Sequence, residues 1–143
     1  PLVIPFWYGK KLTLKDLEDD WTPEYFNEED ETGRCFIIEY LGKSIGMVSH
    51  NGREDDGSFE IDIIIGDPGL WSKGLGTRVL KMFCNFLYYD LKATMIFVVT
   101  GSSNPRAIRT YQKAGFRLGD ISMLKREILD PTEDTYLYMD IRE

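Results

Sequence analysis

An α+β fold built on a mixed sheet is predicted by the way two periodicities alternate along the 143 residues. First, the runs 35–41 and 44–50 are rich in β-branched and aromatic residues and flank a Gly42-Lys43 turn, which is a hairpin pattern. Second, the run 58–66 alternates Phe59, Ile61, Ile63 and Ile65 against Glu60, Asp62 and Ile64. Its two carboxylates therefore share one face of a strand. Third, Leu75, Val79, Leu80, Phe83, Phe86 and Leu87 recur at helical spacing, and a buried-strand run at 94–100 and a second helix pattern follow. The chain thus reads hairpin, strand, helix, strand, helix and closing strands, within a single domain over 1–143.

Each element has a local cause. Thr13 caps a short helix over 14–21, with Asp16 as its capping-box partner and Pro23 as its stop. The charged stretch 26–33 and the acidic turn 51–57 are solvated connections. A longer helix runs from about residue 74 to 89. The second helix carries Asn104 as cap, Pro105 in its first turn and Gly115 as its C-terminal stop. Strands starting at Phe116 and spanning 135–141 close the chain.

Composition narrows the function classes. A net charge of −7 argues against generic nucleic-acid binding and suits a small cationic partner. No apolar run reaches membrane-spanning length, so no membrane association is expected. Cys35 and Cys84 make neither a metal nor a redox spacing and are expected as buried, reduced thiols in a cytoplasmic protein. His50, the sole histidine, is expected at the surface. No metal is expected.

The stretch WSKGLGTRVL, 71–80, carries the most chemistry. A P-loop would need Lys and Ser or Thr where Leu75 and Gly76 stand, and a dinucleotide fingerprint would need glycine in place of Val79. Neither ATP nor NAD is supported. What remains is a strand, a turn through Lys73, Gly74, Leu75, Gly76 and Thr77, and a helix. Absent Cβ atoms at Gly74 and Gly76 let the free N–H groups of the first helical turn approach an anion, with the helix dipole behind them. A glycine-rich turn without a ligand fits the same residues.

Downstream, Asn104, Ala107, Tyr111, Gly115 and Phe116 follow a strand as Asn-x-x-Ala-x-x-x-Tyr-x-x-x-Gly-Phe. With the Gly74-x-Gly76 loop before it, this pattern resembles the GNAT superfamily of acyl-CoA-dependent N-acetyltransferases. The segments FWYG, EIDIIIGDP, KGLGT and RAIRTYQKAGF are similar to its aminoglycoside 6′-N-acetyltransferase-like group. Trp71 stands where the superfamily usually has Gln or Arg. The resemblance implies a mixed, mostly antiparallel sheet flanked by helices, lacking the first β-α unit in the quoted chain.

It further implies that acetyl-CoA is the co-substrate. Ile64, Ile65 and Gly66 would meet the pantetheine arm from one side and Asn104 from the other, while Lys73, Gly74, Leu75, Gly76 and Thr77 hold the pyrophosphate. Arg106 and Lys113 either reach nucleotide phosphates or are merely solvated. By the same resemblance Tyr111 is the general acid beside the sulfur, and Asp62 the base, directly or through water. Glu60 is the alternative acid on the same face. Trp7, Tyr8, Asp62 and Glu133 are candidates to hold a cationic amine, with the acids at 54–56 and 134 as further cleft-lining charges.

The leading expectation is direct acetyl transfer to a primary amine of an aminoglycoside-like or polyamine-like substrate. A protein or peptide N-acetyltransferase and a non-catalytic acyl-CoA-binding module remain the other readings. A homodimer is compatible with each.

Overall fold

The structure, a computed structural model, describes residues 33–51, 53–124 and 133–140. The expected helix at 14–21 and the aromatic pair Trp7 and Tyr8 lie outside the described residues.

Six strands form one sheet in the order β1-β2-β3-β4-β6-β5. They are β1 (Gly33–Tyr40), β2 (Lys43–Asn51), β3 (Ser58–Ile65), β4 (Met95–Gly101), β5 (Arg117–Leu118) and β6 (Asp134–Asp140). Every neighbouring pair is antiparallel except β3 with β4. The α+β expectation, with its mixed and mostly antiparallel sheet, therefore holds. The hairpin turn sits one residue earlier than the sequence suggests. Tyr40 pairs with Lys43, leaving Leu41 (φ 51°) and Gly42 (φ 73°) as the two loop residues. Positive φ at both positions is what matches a tight hairpin to the right-handed twist of its strands, so Lys43 is drawn into β2.

Two helices pack together and against the sheet: α1 (Leu75–Tyr89) and α2 (Pro105–Ala114). Leu80, Phe83, Cys84 and Leu87 of α1 bury the apolar stripe read from the sequence. They meet Ile61, Ile96, Val98 and Leu137 from three strands, all but Phe83 and Cys84 less than 2% exposed. Burying such an aliphatic side chain contributes about 1.5–3 kcal/mol, so this layer is what holds the helices in place.

His50 belongs to that core and not to the surface. It is 4% exposed, with Phe59 edge-on at 5.3 Å and Phe83 stacked at 6.1 Å, and its Nδ1 lies 2.8 Å from the Asn51 carbonyl. The surface expectation failed because His50 stands opposite Ile61 in the register and shares its inward side. Cys84 is buried as expected, whereas Cys35 is only half-buried; both thiols are free.

β2 also sets the position of β3. Gly46 lies opposite Ile65, and a Cβ there would land on the Ile64 carbonyl. Gly46→Ala should force the strands apart at the end of β3, with an expected loss of about 1–3 kcal/mol. The check is a lower urea midpoint at unchanged slope.

Candidate active site

The one parallel pairing is short, and its brevity makes the site. β3 and β4 are in register only over Ser58↔Met95, Phe59↔Ile96 and Glu60↔Phe97. Beyond that point β3 stays with β2 as far as Ile65↔Gly46, while β4 stays with β6 as far as Gly101↔Asp134. The sheet forks. The edge of β3 past Glu60 loses its strand partner on this side, so its backbone groups must find others.

A cleft of about 130 Å³ occupies the fork. Ile63, Ile64 and Ile65 line it from β3, Trp71, Ser72 and Gly76 from the loop and the start of α1. Asn104, Arg106, Ala107, Thr110 and Tyr111 of the α2 segment form the facing wall. A second cleft of similar size adjoins it, sharing Ser72, Gly76, Arg106 and Thr110 and adding Leu70, Gly74, Leu75 and Thr77. Arg109 and Lys113 complete that second lining with positive charge.

The loop between β3 and α1 is locally determined. Asp67 accepts the Gly69 N–H at 2.8 Å and starts a 3-10 turn at Pro68–Leu70. Ser72 (φ 60°) and Gly74 (φ 80°) then bend the chain back through left-handed conformations. At Gly74 this conformation is the reason for glycine. At Gly76 the reason is proximity, because a Cβ would stand 3.1 Å from the Thr110 methyl of α2. Gly74 supplies no side-chain cap, and the first intrahelical bond runs from Arg78 N–H to the Gly74 carbonyl at 3.1 Å. The N–H groups of Leu75, Gly76 and Thr77 therefore precede the α1 ladder, and these residues line the second cleft, where the helix dipole adds positive potential.

Trp71 ties the loop to both walls. Its indole N–H donates to the Ile65 carbonyl at 2.7 Å, and the Arg106 guanidinium lies 3.5 Å above its ring centroid. Across the fork, the Asn104 side-chain oxygen accepts the Ala107 N–H at 3.2 Å, which caps α2 and leaves the amide NH₂ as its donor.

Asp62 and Tyr111 are both electrostatically perturbed. Burial pushes the Asp62 carboxyl up to about 6, and the neighbouring Glu60 charge adds to the effect. Tyr111 is 5% exposed, with Phe116 edge-on at 5.6 Å. Burial drives its phenol well above the ordinary tyrosine range, and the charges of Asp62 and Cys84 push the same way. The Asp62 charge thus reaches the Tyr111 phenol, although Asp62 itself lines neither cleft.

Like Asp62, the expected site residues Glu60, Gly66, Lys73 and Glu133 line neither cleft. Glu60 stands in the last parallel pair and accepts from Asn51 Nδ2 at 3.4 Å. The Gly66 N–H is committed to the Ile45 carbonyl at 2.9 Å. Lys73 is exposed and lines neither cleft. Glu133 is exposed beyond the end of β4, its carbonyl accepting the Ser102 N–H at 2.6 Å. The acidic turn at 54–56 precedes β3, about 23 Å along the strand from Ile65 at ~3.3 Å per residue, so it does not line the fork. Sequence reasoning missed the bridging place of Trp71, the wall residue Thr110 and the cleft residue Arg109. A signal for Arg109 was present in the spacing of Arg106, Arg109 and Lys113, which puts three cations on one helical face.

Among the described residues no cluster of His, Cys, Asp and Glu could hold a metal, and no helix is long and apolar enough to cross a membrane.

Known proteins share this fold. The chain is 28% identical over 125 residues to aminoglycoside N(6′)-acetyltransferase type 1 from Klebsiella pneumoniae, covering 80% of this chain and 62% of that protein. It is 28% identical over 123 residues to spermidine N(1)-acetyltransferase of Escherichia coli (strain K12), covering 80% and 60%. It thus spans about three-fifths of the length of these curated relatives. A crystal structure of aminoglycoside acetyltransferase AAC(6′)-Ib in complex with coenzyme A and kanamycin superposes with a TM-score of 0.77 at 22% identity, covering 99% of this chain and 83% of that one. The family model described as "Acetyltransferase (GNAT) domain" matches residues 2–117. With a forked sheet, an uncapped glycine-loop helix and the family model matched over most of its length, the chain belongs to the GNAT acetyltransferase family.

Proposed function

We propose that the protein is an acetyl-CoA-dependent N-acetyltransferase acting by direct transfer on a primary amine of a small cationic substrate. The observation that carries this reading is the fork itself, which brings an uncapped helix N-terminus and a buried phenol to one cleft system, with a β3 carboxyl of raised pKa near enough to act on that phenol by its charge. The relatives named for aminoglycoside and spermidine acetylation support a cationic amine as acceptor.

The pieces fit the coenzyme chemically. Backbone N–H groups of Leu75, Gly76 and Thr77 suit a diphosphate, with Arg106, Arg109 and Lys113 adding positive charge on the facing helix. The apolar strand edge at 63–65, faced by the Asn104 amide, suits an arm of alternating amide and methylene groups.

Acetyl-CoA supplies the acetyl group as a thioester. At neutral pH Asp62 is ionised, so it holds the ammonium form of the substrate by charge at the fork. A primary amine of ordinary pKa, about 10.4, must shed a proton to attack. That first proton passes to Asp62, directly or through water, and on to solvent; as the nitrogen–carbon bond forms, the nitrogen loses its basicity and releases a second proton. The carbon–sulfur bond breaks, and the Tyr111 hydroxyl donates a hydrogen bond to the departing sulfur. A phenol this resistant to ionisation steadies the sulfur while remaining a phenol. The proton that completes the free thiol comes in net from the amine.

Calorimetric titration of the full chain with acetyl-CoA, followed by thiol release against spermidine and kanamycin, tests the proposal. Micromolar binding with release on either amine is the expected result. Binding without turnover on any small amine would turn the reading toward a peptide acceptor or a non-catalytic module. Absence of binding would overturn it.

A further inference from the structure

We propose that Trp71 is a positioning residue, whose indole holds the Arg106 guanidinium at the junction of the two clefts to bind the diphosphate of the coenzyme. The inference rests on acetyl-CoA being the co-substrate and adds a residue through which its binding is organised.

Trp71 has two directional ties and they point opposite ways. Its indole N–H is fixed to the Ile65 carbonyl at 2.7 Å, at the end of the strand edge freed by the fork. Its ring face carries Arg106, with the guanidinium carbon 3.5 Å from the centroid, well inside cation–π range. Among the described residues Arg106 is the cationic residue that lines both clefts. It sits one residue into α2, whose entry is itself fixed by the Asn104 cap. An arginine side chain is long and rich in rotamers, so an aromatic face that limits its freedom reduces the entropy lost when it meets an anion. The planar guanidinium can stack on the ring and keep its N–H groups in its own plane, an arrangement that a lysine at this place could not reproduce. The hydrogen bond to Ile65 has a second effect, since it supplies the carbonyl at the end of β3 with a donor inside the protein.

Acetyl-CoA and acetyl-pantetheine, the same thioester without the phosphates, separate this role from a merely structural one. Trp71→Leu is expected to weaken acetyl-CoA binding about tenfold and to lower kcat/KM with acetyl-pantetheine by a clearly smaller factor, since only the lost bond to the Ile65 carbonyl reaches the arm. Arg106→Met should do the same, the double variant should be no worse than either, and the salt dependence of acetyl-CoA binding should flatten in all three. Trp71→Phe keeps a ring face and should retain most of the affinity. Equal losses with both thioesters, or additive losses in the double variant, would overturn the assignment of Trp71. If Trp71→Leu does not fold, unchanged acetyl-CoA affinity in Arg106→Met overturns it instead. No acetyl-CoA binding by the unsubstituted chain would overturn the proposed function as well, whereas the other results bear on this assignment alone.

Discussion

Asp62→Asn is expected to make the protein more stable and nearly inactive. The carboxyl is pushed up to about 6 by burial and by Glu60, against an ordinary aspartate value near 3.8 in the unfolded chain. Between those values the folded state binds more protons than the unfolded state. Stability therefore falls as pH rises from about 4 to about 6, and the ionised side chain carries an uncompensated cost at neutral pH. A shift of this size corresponds to about 3 kcal/mol at ~1.36 kcal/mol per pKa unit, as an order of magnitude. An amide of the same shape carries no charge to desolvate and should recover a good part of that, seen as a higher urea midpoint at pH 7 that converges with the parent at pH 4. Activity should move the other way. Loss of a general base typically costs about 10²–10⁴ in rate. In the parent kcat/KM should rise through an apparent pKa near 6, and in Asp62→Asn the residual rate should lack that rise. A variant that keeps the parent's pH profile would move the base elsewhere, to Glu60 in the first instance.

This opposition explains which parts of the molecule could be read beforehand. Period-two alternation through 58–65 and helical spacing through 75–89 are local patterns, and both elements formed where they were expected. Asn104, Pro105 and Gly115 bounded α2 for equally local reasons, a side-chain cap, a preset φ and a left-handed exit at φ 115°. The fork was not legible. It depends on β3 and β4 parting after three registered pairs, and nothing within either strand encodes where a neighbour leaves. For the same reason the sequence does not show that the length of β3 separates the acidic turn at 54–56 from the cleft residues at 63–65. Trp71 could be seen only as a departure from a motif, because its partners are the Ile65 carbonyl and Arg106, 35 positions further on in the chain. His50 is another such case, a polar residue whose inward side follows from register against Ile61 and not from its own chemistry.

Tyr111→Phe should separate catalysis from packing more sharply than any other substitution in α2. The ring lies in the core with Phe116 edge-on at 5.6 Å, and phenylalanine keeps that contact. Folding stability should change by less than about 1 kcal/mol, since only a hydroxyl is removed. Acetyl-CoA affinity should stay within about threefold, because the diphosphate-facing groups are untouched. If the hydroxyl steadies the departing sulfur, kcat should fall about a hundredfold, the size expected for one positioned donor acting in the transition state. Because burial and the Asp62 charge hold the phenol above its ordinary range, the parent should show no loss of rate from phenolate formation up to pH 10. The role predicts a further result. With a thioester whose thiol is already acidic, the sulfur needs less help, and the gap between parent and Tyr111→Phe should narrow. A gap that stays constant across leaving groups would mean that Tyr111 orients the coenzyme without acting on the sulfur. Unchanged kcat in Tyr111→Phe would leave the phenol a core residue whose hydroxyl merely borders the cleft.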